Sequence, residues 1–271
     1  MYYIVFLFSI AILFLYIIYN FPWLTKYYRL NSGEFLLRKG NRVAFVSDIH
    51  IGASGSNIML LKFIGKILRI LNVDVLVIVG DLIDERIHLG SRYLEKLAEL
   101  VVKILDLKDV TVIYIPSNTS HDVVFEGQGK DFRRFQLRSR NVDFIYAPHM
   151  LKIFFEECNE YIYATHGDYI SRNGAIAYIL DKVCRKVIGK RITGIIARKV
   201  FNIDNKAWVI LGHSHVSSLD PRYRVIGLGS WIKRYYAPRE CSIAIVSCKN
   251  KTIGIVFIAL TKNHVVNLYI E

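Results

Sequence analysis

Proline and glycine are scarce, with five Pro and 17 Gly in 271 residues. Against 53% hydrophobic and 22% charged residues, that scarcity excludes a collagen-like chain, a disordered tail and long linkers. Acids are in deficit too, 23 against 36 Lys and Arg, which excludes an acidic solvating segment. The resulting formal charge of +13 favours phosphate-bearing partners: nucleic acid, anionic lipid or nucleotide. The four cysteines (Cys158, Cys184, Cys241, Cys248) show no CxxC spacing. In a chain of this size they read as buried small hydrophobes or free thiols, which points to a reducing compartment. Internal repeats and low-complexity segments are absent. The length fits one large domain with at most a short appendage.

Charge is missing altogether from the side chains of Met1 to Asn20, a run that is almost wholly apolar. About 20 helical residues at ~1.5 Å each cover a ~30 Å hydrocarbon core. No Lys or Arg precedes the run and no A-x-A site follows it, so it reads as an anchor over residues 1–24 rather than a cleaved signal peptide. Lys26, Arg29, Arg38, Lys39 and Arg42 follow, against Glu34 alone. The positive-inside rule then predicts a single-pass membrane protein with residues 25–271 in the cytoplasm.

Beyond Gly40, short apolar runs alternate with amphipathic stretches. Arg42–Ser47, Val73–Val79 and Val110–Ile115 read as strands, and Asn57–Leu71 and Tyr93–Leu105 as helices. That order argues for a parallel sheet with helical crossovers. The later half holds more strand-like runs: Phe144–Tyr146, Leu151–Phe155, Tyr161–Thr165, Ala207–Leu211, Tyr223–Leu228, Ile243–Ser247 and Thr252–Ala259. Residues 172–206 interrupt them with nine basic residues, among them Lys182, Arg185, Lys186 and Lys190, opposed only by Asp181 and Asp204. Apolar residues recur there at helical spacing (Ile176, Ile179, Val183, Val187), the pattern of a basic amphipathic insert. It is either a solvated helix pair packed on the sheet or a lid that lies on a bilayer and meets an anionic amphiphile.

Five strand ends carry ligand-type residues: Asp48-Ile49-His50, Gly80-Asp81-Leu82-Ile83-Asp84, Ser117-Asn118-Thr119-Ser120-His121-Asp122, His166-Gly167-Asp168 and Gly212-His213-Ser214-His215. Each alone is weak. Together they hold five of the eight histidines, and strand ends are where rigid backbone positions loop side chains. Imidazole, carboxylate and amide donors suit Mn²⁺, Fe²⁺ or Zn²⁺ better than Ca²⁺. Asp168 reads as either a site residue or a cap on the following helix.

In order and spacing these blocks resemble the calcineurin-like metallophosphoesterase superfamily, whose pattern is D-x-H, G-D-x-x-D, G-N-H-D/E, H, G-H-x-H. The resemblance implies a four-layer αββα sandwich of two mixed sheets. It implies two divalent metals, one on Asp48, His50, Asp81 and His215, the other on Asp81, Asn118, His166 and His213. A phosphoester or pyrophosphate would then be cleaved by metal-bound hydroxide. Asp84 would orient a ligand from behind, and His121, oriented by Asp122, would bind phosphate and protonate the leaving group. Here Ser117 replaces the third motif's Gly, and His121-Asp122 comes two residues late.

Within the superfamily the chain is similar to UDP-2,3-diacylglucosamine pyrophosphatases. The shared features are a basic amphipathic insert between His166-Gly167-Asp168 and Gly212-His213-Ser214-His215, and Gly229-Ser230-Trp231 beyond. That likeness implies Mn²⁺ and a nucleotide-linked or other anionic lipid substrate, with Lys182, Arg185, Lys186 and Lys190 as lid contacts. The alternatives are a nuclease or cyclic-nucleotide phosphodiesterase on the same fold, and a non-catalytic membrane scaffold. The oligomeric state is open.

Overall fold

A computed structural model describes residues 2–24, 31–90, 93–119, 121–125, 132–260 and 266–270. The chain runs α1 (Tyr2–Asn20), β1 (Ser32–Leu37), β2 (Val43–Ser47), α2 (Ile58–Ile70), β3 (Val75–Val79), β4 (Arg86–Leu89) and α3 (Leu94–Ile104). It continues with β5 (Val110–Ile115), β6 (Asp122–Phe125), β7 (Arg133–Leu137), β8 (Val142–Tyr146), β9 (Met150–Phe155), β10 (Glu160–Thr165), α4 (Gly174–Ile188) and α5 (Ile192–Phe201). It ends with β11 (Trp208–Leu211), β12 (Ser218–Asp220), β13 (Val225–Gly227), β14 (Cys241–Lys249), β15 (Thr252–Leu260) and β16 (Val266–Ile270).

Two mixed sheets result. One has eight strands in the order β16-β15-β14-β2-β3-β5-β8-β7, with β2, β3, β5 and β8 parallel. The other has six, β1-β9-β10-β11-β13-β12, with β10, β11 and β13 parallel. β4 and β6 form a separate parallel pair.

The apolar strand runs serve two cores at once. Val75, Val77 and Val79 face Ile153, Ile162 and Ile210 between the sheets. Leu76 and Ile78 face the other way, onto Leu61, Ile64, Leu97 and Val101 of α2 and α3. Alternation across a strand buried on both faces explains why the run is unbroken. On the far side, Ala197 of α5 packs with Val209 and Leu211 of β11 and Val225 of β13. The layers are thus helix, sheet, sheet, helix. Asn57 caps α2, its side chain accepting from Leu60 N at 3.2 Å.

The amino-terminal segment differs from expectation. Among the described residues no helix is long and apolar enough to cross a membrane. The last turn of α1 belongs to the domain. Asn20 is buried, its carbonyl accepts from Arg172 N at 2.8 Å, and Trp23 N donates to Tyr169 O at 3.2 Å. A crossing needs about 20 residues in lipid, and α1 (19 residues) falls short once that turn is docked. The single-pass localisation is therefore corrected. Lys26 and Arg29, which set its predicted orientation, lie outside the described residues.

The cysteine reading is corrected as well. Cys158, in the β9–β10 turn, and Cys248, in β14, are disulfide-bonded across the two sheets, with Cα atoms 5.8 Å apart. Only Cys184 and Cys241 are free. Fold proximity across 90 residues of sequence leaves no spacing signal to read.

Candidate metal centre

The five motifs meet at the carboxyl ends of β2, β3, β5, β10 and β11, where ligands bind in open α/β sheets. The backbone turns sharply to present them. Asp48, His50, Asp81, His213 and His215 all adopt left-handed φ values, from 45° to 65°. For non-glycine residues such conformations cost of order 1–3 kcal/mol each and collect at functional sites. Two glycines make room. A Cβ on Gly80 (φ 69°) would lie 2.3 Å from the His166 ring, and one on Gly212 would lie 1.9 Å from Ser47 Oγ.

Asp81 stands between two groups of side chains. Its Oδ1 is 3.3 Å from His166 Nε2, and its Oδ2 is 3.7 Å from His50 Nε2. His215 Nε2 lies 3.2 Å from Asp48 Oδ1. Asp48, His50, Asp81 and His215 offer donor atoms within 4.8 Å of one another, as do Asp81, His166 and His213. All are buried. Second contacts set two of the imidazoles. His166 Nδ1 donates to Val79 O at 3.0 Å, and His213 Nε2 donates to Ser171 O at 2.5 Å. Each fixes the ring and leaves the other nitrogen toward the cluster.

The electrostatics follow from crowding. Burial opposes the Asp81 carboxylate, but His166, then His50 and His213, hold it well below the usual range. Burial likewise opposes the His166 cation, yet Asp81 raises it well above an ordinary histidine. Burial pushes His50 down to about 4, against the pull of Asp81 and Asp48. Burial and His166 lower His213.

This donor set fits divalent cations. Asp48 Oδ1, His50 Nε2, His166 Nε2 and His215 Nδ1 are buried with no hydrogen-bond partner among the described residues. Unpaired buried polar atoms are costly. A cation between them would satisfy several at once.

The other expected residues divide. His121 enters the same cleft, its ring 5.4 Å from that of His50 and its Nδ1 on the Asp84 carbonyl. The carboxylate near it is Asp84, with Oδ1 3.7 Å from His121 Nδ1 and 3.2 Å from His50 Nδ1. Asp122 is turned away from the role expected of it. Its buried carboxylate accepts from Tyr114 Oη, from Ser117 N at 2.9 Å and from Asp81 N at 3.0 Å, bracing the loops instead. Ser117 and Thr119, where the family motif has Gly and His, each donate a hydroxyl to Asp81 Oδ1 at 2.7 Å. Asn118 lines the cleft, with Nδ2 3.5 Å from His149 Nε2. Asp168 caps no helix. It accepts from Asn118 N at 3.0 Å, while Asn173 caps α4.

Lys182, Arg185, Lys186 and Lys190 do not line the cleft. Lys182 pairs with Glu240 at 2.9 Å, and Lys190 lies over the Tyr223 ring. The cations that do line the ~780 Å³ cleft are Arg86, Arg172 and Arg234, beside Tyr19 and Asn20 of α1 and Tyr235 and Tyr236. Sequence reasoning leaves the role of Arg234 open and does not single out Tyr19, Asn20 or Arg172, since only tertiary folding brings α1 against the loop before α4. Arg234 pairs with Asp84 and lies 3.1 Å from His50 Nδ1.

A family model described as Calcineurin-like phosphoesterase matches residues 41–217. Comparison with curated proteins finds no match. Among solved structures, the chain is similar to zinc-complexed Vps29 from Entamoeba histolytica, at 14% identity and TM-score 0.43, covering 85% of this chain and 98% of that one. Vps29 from Chaetomium thermophilum matches at 11% identity and TM-score 0.46, over 86% and 96%. A dimetal phosphatase from Danio rerio matches at 12% identity and TM-score 0.42, over 82% and 96%.

Proposed function

This chain belongs to the calcineurin-like phosphoesterase family, and from that premise we propose that it is a dinuclear metal-dependent phosphohydrolase cleaving a phosphoester or pyrophosphate bond. The observation that supports it is the buried convergence of Asp48, His50, Asp81, His166, His213 and His215, four of which (Asp48, His50, His166 and His215) each keep a buried polar atom with no hydrogen-bond partner among the described residues. Two divalent cations, for which this mixed donor set suits Mn²⁺, Fe²⁺ or Zn²⁺, would supply Lewis acidity that lowers the pKa of water and neutralises charge growing on the phosphoryl oxygens. Asp81 offers one oxygen to each half of the site, and Ser117 and Thr119 hold that carboxylate in place. His121, with its Nδ1–H donated to the Asp84 carbonyl, would in its imidazolium form pass the Nε2 proton to the leaving-group oxygen and be left neutral.

The narrower form of the proposal is a nucleotide-linked or other anionic lipid as substrate. Its support is α4, which begins at the cleft with Gly174 and Ala175 and carries exposed Ile179, Val183 and Val187 beside its basic residues.

The test is turnover of bis(p-nitrophenyl) phosphate by the full chain with Mn²⁺. EDTA and Asp81→Asn should each abolish it. Full activity in Asp81→Asn would refute the shared carboxylate. Turnover of single-stranded DNA but not of a dispersed nucleotide-linked lipid would select the nuclease reading.

A further inference from the structure

The loop between β10 and α4 serves one half of the metal centre at three points. His166 stands at its start, with Nε2 3.3 Å from Asp81 Oδ1. Buried Asp168 accepts from Asn118 N at 3.0 Å, and so holds the residue that the family resemblance adds to that half. Further along, Ser171 O accepts from His213 Nε2 at 2.5 Å. The residues of the other half are held differently. His50 Nδ1 lies 3.2 Å from Asp84 Oδ1, and His215 Nε2 lies 3.2 Å from Asp48 Oδ1.

The amino-terminal segment grips the same loop from the opposite side. Trp23 N donates to Tyr169 O at 3.2 Å, and Arg172 N donates to Asn20 O at 2.8 Å. The Arg172 guanidinium lies over the Tyr19 ring, 4.7 Å from the centroid. Trp23 also packs on the cluster that contains Tyr169, Ile170 and Ala197. Loops open more readily than the strands that carry them, and here residues from outside every motif pin one down.

From these contacts we infer that Asn20 and Trp23 are positioning residues of the metal centre. They act through the 166–172 loop on His166, Asn118 and His213, and not on Asp48, His50 and His215. The segment after α1 thereby sets how firmly one of two cations is held. Loss of such supporting contacts costs metal affinity about 10–100-fold.

The inference rests on the dinuclear phosphohydrolase reading, and two readouts on the full chain keep them apart. The first is calorimetric titration with Mn²⁺. Trp23→Ala should weaken one of two binding steps about tenfold and leave the other unchanged. Asp168→Ala should weaken the same step. Trp23→Phe and Asp168→Asn, which keep a ring and an acceptor oxygen, should recover it. Equal weakening of both steps, or of neither, overturns the inference. The second readout is amide hydrogen exchange in EDTA, which needs no metal. Trp23→Ala should speed exchange at Asn118 and Arg172, while the Asp81 N–H, which donates to Asp122 Oδ2 at 3.0 Å, keeps its protection. A common rise at all three marks a general loss of stability and overturns the inference. If the wild-type chain binds Mn²⁺ but turns nothing over, the hydrolase reading fails and both readouts still decide the inference. If it binds no Mn²⁺, exchange alone decides: selective loss at Asn118 and Arg172 supports the positioning role, and its absence overturns it.

Discussion

Arg191 Nη2 donates to Ser214 Oγ at 2.6 Å, and Ser214 lies between His213 and His215 of the candidate metal centre. Arg191 is almost fully buried and pairs with fully buried Asp181, whose carboxylate also accepts from Thr193 N and Thr193 Oγ1. One basic residue of the insert is therefore a strut behind the metal centre rather than part of a charged surface. Arg191→Met strands a buried carboxylate and should cost about 3–5 kcal/mol in denaturant unfolding. Adding Asp181→Leu should recover part of that loss. Mn²⁺ affinity, read by calorimetry, should fall in Arg191→Met because the His213–His215 loop loses its brace.

Metal removal should be visible as stability. Cations that bind only the folded state stabilise it by mass action, about 1.4 kcal/mol per site for each tenfold rise in free metal above Kd. The melting temperature should climb with Mn²⁺ and drop on adding EDTA. In His166→Ala the climb should be blunted. A melting curve indifferent to both additions would contradict the cluster.

Burial, and then the nearby Asp81, push the Asp122 carboxyl up to about 6. An unfolded carboxyl titrates near 3.8, so the folded metal-free protein holds this proton longer. The corresponding stability is complete below pH 4 and disappears as pH rises through 6. Asp122→Asn cannot ionise. In EDTA, its melting temperature relative to wild type should improve between pH 4 and pH 7, with about 3 kcal/mol as the scale for two pKa units. A pH-independent difference would contradict it.

Gly80→Ala meets two obstacles, a left-handed φ of 69° and the His166 ring in the space of the new methyl. The strain alone costs about 1–2 kcal/mol. The displaced imidazole should lower Mn²⁺ affinity as well, which calorimetry would read beside the unfolding midpoint.

The metal motifs were legible because each follows an apolar run whose buried character is local. Val73–Val79 reads as a strand from composition alone, the observed strand is Val75–Val79, and Asp81 follows at its end. Six strands left weaker traces. β1, β4 and β7 are short and half-exposed, β12 has three residues, β6 begins inside the His121-Asp122 motif, and β16 is a five-residue strand, the last among the described residues. Asp122 carries the same dipeptide signal whether it faces His121 or Tyr114, and only tertiary contacts decide. The apolar run of Met1–Asn20 was misread for a similar reason. Hydropathy reports what a helix avoids, and docking of Asn20 against Arg172 depends on residues about 150 positions away. Tyr19 and Asn20, which hold Arg172, and Ser214, which Arg191 braces, lie beyond any sequence window.

Because Tyr19 and Asn20 wall the cleft, trimming the amino terminus would leave a gutter open on one side, an enzyme with altered tastes rather than a tidier one. Tolerance along α1 should be lopsided accordingly. Its outward residues, such as Leu13 and Leu15, are free to drift among apolar types, whereas a change at Tyr19 is felt by whatever the cleft admits.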